Sequence, residues 1–131
     1  MSMSVPKLPP GRLWLPPNAT DITTFAQGTV TTGNSLTVLN RTPDANVDLW
    51  FMEAGGGVNI PGNNILLRVQ LGGTTVFAIY VGQGNGGEHT HPWPQRFRGD
   101  GASAFLVTVE NASGATKDIR AHVHAWEETV A

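Results

Sequence analysis

All four histidines of this 131-residue chain fall in two His-x-His pairs, His89-Thr90-His91 and His122-Val123-His124. Alternate residues of a β-strand project to one face, so His122 and His124 point the same way, beside Arg120 and away from Ile119 and Val123. Neutral imidazoles ligate zinc, nickel or copper. If the segment holding His89 and His91 lies over the final strand, the four rings converge, with Glu88 as a further oxygen donor. No cysteine occurs, which excludes disulfides, thiolate catalysis and Cys-based zinc sites together. Neither pair has a third carboxylate at a set spacing. The plainer expectation is therefore a half-exposed face for His122 and His124, local hydrogen bonds for His89 and His91, and no metal or other cofactor.

Other catalytic signatures are missing, and the chain is expected not to be an enzyme. No Gly-x-Ser-x-Gly elbow supplies a nucleophile, and the carboxylates are scattered. The glycine clusters at 55–57 and 82–87 lack the Lys-Ser/Thr ending of a phosphate loop and read as turns. Arg98-Gly99-Asp100 spells a tripeptide that adhesion receptors can read, and Gly-Asp-Gly is equally a turn. Aromatic residues and arginine concentrate at the buried centres of interfaces. Leu13, Trp14 and Leu15 in the leader, with Trp93, Arg96 and Phe97 after the first histidine pair, are accordingly candidate contacts for a protein partner. The alternative for either group is packing on its own domain.

Eight Lys and Arg against ten Asp and Glu leave a net charge of −2 with no basic run, so nucleic acid is not an expected partner. Charged residues make up only 14% of the chain, where about a quarter is usual. The surface must be largely neutral and polar, or covered. No apolar run is long enough for a signal peptide or a bilayer span, and synthesis in a cytoplasm without membrane association is expected.

The elements that must position these residues are strands. Pro6, Pro9, Pro10, Pro16 and Pro17 make residues 1–24 an extended arm. Residues 25–131 form one β domain. Runs at 25–31 and 35–41 flank Gly33-Asn34 as a hairpin, and 47–53 ends at the glycines that follow. Residues 65–71 alternate, Gly72-Gly73 turns the chain, and the apolar run 74–82 reads as a central strand covered on both faces. Residues 82–103 read as a long irregular loop of functional weight. A last hairpin joins 104–110 to 117–126 across Asn111-Ala112-Ser113-Gly114. About seven or eight short strands without a helix predict a single antiparallel β-sandwich. The arm and long loop favour a jelly roll over an immunoglobulin-like topology.

His89 and His91 after the glycines resemble the opening of the cupin motif, which implies a metal-binding jelly-roll enzyme using the four histidines. The spacing differs, and Gln95 and its neighbours stand where that motif carries a carboxylate. The whole chain, a sandwich with an apolar-tipped arm, an aromatic loop and few charges, resembles the cement or decoration proteins of tailed bacteriophage capsids. That resemblance implies a non-enzymatic virion protein on the capsid exterior, made in the host cytoplasm. Its partners would be the major capsid protein and its own copies, as a dimer or trimer. A receptor- or carbohydrate-binding module of a phage is the remaining class.

Overall fold

Period-two burial sets the strands. Phe105, Val107 and Val109 are fully buried, while Leu106, Thr108 and Glu110 between them are only partly so. The computed structural model describes residues 18–83 and 86–130, with the backbone alone for 88–93. Leu13, Trp14 and Leu15, the leader that holds them, and the side chains of His89, His91 and Trp93 therefore lie outside the described residues.

In chain order the strands are β1 (Ala19–Asp21), β2 (Thr24–Val30), β3 (Ser35–Arg41), β4 (Val47–Val58), β5 (Ile65–Leu71), β6 (Thr74–Tyr80), β7 (Gly87–Arg98), β8 (Phe105–Asn111) and β9 (Lys117–Thr129). They build two antiparallel sheets. One runs β2-β9-β4-β7, with β1 also on β9, and the other runs β3-β8-β5-β6. That order, with strands exchanged between sheets at successive connections, is a jelly roll of two Greek keys, which separates it from the immunoglobulin-like alternative. Leu49, Phe51, Ile65, Leu67, Val69, Phe105, Val107, Val109, Ile119 and Val123 fill the space between the sheets, none more than 1% exposed. Burying each such side chain stabilises the fold by about 1.5–3 kcal/mol relative to exposure.

Several expectations change. The two hairpins drawn across Gly33-Asn34 and across 111–114 are crossovers between sheets, because β2 and β9 belong to one sheet and β3 and β8 to the other. The crossovers lie side by side, joined by Asn111. Gly33 N donates to Asn111 O at 2.7 Å, and Asn111 N donates to Asn34 O at 2.9 Å. The Asn111 side chain, 1% exposed, donates from Nδ2 to Val30 O and Ala115 O and accepts at Oδ1 from Ser113 N and Oγ. A buried amide so fully satisfied fixes the corner.

The run at 74–82 is not central. β6 ends its sheet, turning Phe77 and Ile79 inward and leaving Val76 42% and Tyr80 61% exposed. Residues 87–98 are strand β7 rather than irregular loop, and as the outermost strand it tolerates Pro92 and Pro94, which a central strand would not. β4 continues through Gly55-Gly56-Gly57 because the strands approach closely there: a Cβ on Gly56 would lie 2.9 Å from Arg120 O. The sheet also takes in Ala19–Asp21, which the sequence assigns to the arm.

Candidate functional site on the outer face of the larger sheet

β9 turns Ile119, Ala121, Val123 and Ala125 into the core and leaves Arg120, His122, His124 and Trp126 on the outer face. Beside it β4 carries a bulge at Met52: Phe51 pairs with Ala125 and Glu53 with His124, two residues of β4 against one of β9. Strict alternation would send Glu53 to the core side with Leu49 and Phe51. The extra residue turns it outward and puts Ala54, fully buried, inside instead.

Glu53 thus lies between the two imidazoles. Its Oε1 is 2.9 Å from His122 Nε2, and its Oε2 is 3.9 Å from His124 Nδ1. The two imidazole rings stand 5.4 Å apart between centroids. The three side chains are 19%, 30% and 31% exposed, sheltered yet within reach of solvent. His124 Nδ1 is buried and has no hydrogen-bond partner among the described residues.

Farther along the same face Trp50 stacks on Trp126, with centroids 6.3 Å apart and planes 13° from parallel. Both indole N–H groups are buried, with no hydrogen-bond partner among the described residues. Asp48, 3% exposed, is matched by Arg98 Nε at 2.5 Å and Arg96 Nη1 at 3.8 Å. A carboxylate so removed from water needs a cation beside it.

The sequence paired His122 with His124 correctly as neighbours on one face but missed Glu53, whose chemistry the bulge exposes. A signal exists in the spacing of the buried residues Leu49, Phe51 and Ala54, where the step changes from two to three. The backbone of the other pair lies across β4: Ala54 pairs with His89 on one side and Val123 on the other, and Glu53 pairs with Thr90 and His124. The segment does not fold over β9, because β4 separates them.

Of the candidate contacts, Arg96 is exposed on the outer face, its guanidinium toward Asp48. Phe97 is corrected to a core residue, 7% exposed and packed on Phe105 with centroids 5.4 Å apart. Arg98-Gly99-Asp100 is structural. Arg98 pairs with Asp48, and Asp100 accepts from Ala102 N, Ser103 N and Ser103 Oγ. Hydrogen bonds, from the Ser103 side chain first and then the Ser103 and Ala102 backbone, lower the Asp100 pKa from 3.8 to about 2.

Among the described residues, the buried core side chains occupy the space between the sheets. A shallow groove of about 360 Å³ opens elsewhere, lined by Gly62, Asn63, Asn64, Ile65, Tyr80, Gly82 and Gln83. No family model and no curated protein matches the sequence. Among solved structures the chain is similar to a protein from work entitled "Bacillus endospore appendages form a novel family of disulfide-linked pili". The two are 11% identical with a TM-score of 0.35, over 92% of this chain and 99% of that one.

Proposed function

We propose that the chain is a non-enzymatic structural protein that binds the outside of an assembled viral capsid and stabilises it, as a cement or decoration protein. The observation that carries this reading is where the first strand begins. Ala19 pairs with Glu128 and Asp21 with Trp126, so the proline-rich leader joins the domain beside the stacked tryptophans of the outer face. In this reading the leader, which continues from the margin strand β1, reaches a neighbouring subunit.

A protein that binds only the assembled lattice stabilises it by mass action, and repetition over a shell sums modest contacts. The major capsid protein and further copies of this chain, as a dimer or trimer, are the partners this reading requires. The test is removal of residues 1–17, which spares β1 and its pairing with β9. The truncated chain is expected to keep its β-sheet circular dichroism and to lose co-sedimentation with capsids. Undiminished attachment overturns the reading.

The groove lined by Tyr80, Asn63, Asn64 and Gln83 gives a carbohydrate-binding module its own supporting observation, an aromatic ring among amides. Saturable glycan binding lost in Tyr80→Ala, without capsid attachment, would favour that second reading.

A further inference from the structure

We infer that Glu53, His122 and His124 form a binding site for a divalent transition-metal ion of the zinc class on the outer face of the larger sheet. Two imidazole nitrogens and a carboxylate oxygen are a donor set that zinc takes in three-ligand sites with a fourth position open. Hard cations such as calcium and magnesium prefer all-oxygen shells, so the two imidazoles select against them.

The spacing fits. Tetrahedral zinc, at about 2.0–2.1 Å from each donor, sets the donors roughly 3.3 Å apart. Separations of that order are present: 2.9 Å from Glu53 Oε1 to His122 Nε2, and 3.9 Å from the other carboxylate oxygen, Oε2, to His124 Nδ1. No pair among the three donor atoms exceeds 4.8 Å, a gap that small side-chain rotations close.

Two independent features point to a ligand rather than to a simple imidazole–carboxylate hydrogen bond. That bond explains His122 with Glu53 but leaves His124 Nδ1 buried with no hydrogen-bond partner among the described residues. An unmatched buried polar atom is costly, and a metal ion satisfies it. The second feature is the bulge at Met52, without which the Glu53 carboxylate would face the core. Bulges recur beside functional sites for this reason, since they re-aim one side chain without disturbing the sheet. A bound ion would clamp β4 to β9 across the irregularity, and its open position would accept water or a donor from a docked partner. This site stands apart from the capsid reading and survives its failure.

The test uses the full chain, stripped with a chelator and titrated with zinc chloride by calorimetry, with metal content checked by mass spectrometry. One zinc per chain is expected. At a free concentration a hundred times the dissociation constant, the unfolding equilibrium constant should fall about a hundredfold. Glu53→Gln, His122→Ala and His124→Ala should each weaken binding at least about tenfold. All three are substitutions on the outer face, and circular dichroism and tryptophan fluorescence confirm that each variant folds. Absence of saturable binding overturns the inference, as does wild-type affinity in Glu53→Gln and His124→Ala. So does loss of binding in His89→Ala/His91→Ala that leaves the His122 and His124 variants unaffected.

Discussion

Replacing Phe97 by alanine decides whether this aromatic belongs to the fold or to a partner. Its ring is 7% exposed, pairs in register with Leu49 and packs against Phe105. Phe→Ala in a core costs about 3–5 kcal/mol, the lost transfer energy plus the cavity left behind. β7 is an edge strand and can settle inward, which places the expected cost near the lower end, about 3 kcal/mol. With a urea slope of about 1.5–2 kcal/mol/M, the unfolding midpoint should fall by roughly 1.5–2 M at unchanged slope. Arg96→Ala, one residue earlier on the outer face, is the matched control. Its guanidinium is 54% exposed and stands 3.8 Å from Asp48, so its loss should cost no more than about 1 kcal/mol. Urea unfolding followed by tryptophan fluorescence reads both variants. A Phe97→Ala midpoint within error of wild type would refute the core assignment and restore the contact role.

A Cβ on Gly99 would meet Asp44 O at 2.1 Å and Val47 O at 2.5 Å, both backbone atoms that cannot swing away. Gly99→Ala should therefore destabilise by more than about 2 kcal/mol, whereas Gly101→Asn, strained at φ 74° but with open space around it, should cost less, about 1 kcal/mol; thermal unfolding compares the two. Because the folded pKa of Asp100 is depressed from 3.8 to about 2, its contribution is present above pH 3.8 and lost as pH falls toward 2. The stability difference between wild type and Asp100→Asn should accordingly change across that window, and a difference constant down to pH 2 would contradict the hydrogen bonds assigned to the turn.

Local features were legible in the sequence, and long-range ones were not. The alternation of 65–71 and the Gly72-Gly73 turn gave the β5–β6 hairpin, though not the register shift between Val69 and Gln70. The alternation of 104–110 and 117–126 gave the correct inward faces of β8 and β9. What alternation cannot state is whether a turn joins strands within one sheet or carries the chain to the other. The buried amide of Asn111 makes that difference, and in the sequence it looks like any turn asparagine. β6 was misplaced because an apolar run reports composition rather than the number of neighbours, and Phe77 and Ile79 alone satisfy it. β7 was hidden by Pro92 and Pro94, which argue against a strand unless that strand lies at an edge. Glu53 stayed invisible because a one-residue bulge reverses every later side chain, a parity no composition reveals.

The place of β9 bears on the order of assembly during synthesis. Of the nine described strands it is the last in chain order to leave the ribosome, yet it lies between β1 and β2 on one side and β4 on the other. Until it emerges, β1 and β2 have no partner in their own sheet, while the β5–β6 hairpin can form at once and take β8 when it arrives. Such distant pairing gives high contact order and slow closure, with unpaired strand edges open to other chains meanwhile. The nascent domain is thus expected to persist as half a sandwich, and the Glu53–His122–His124 cluster to come together only in the closing step.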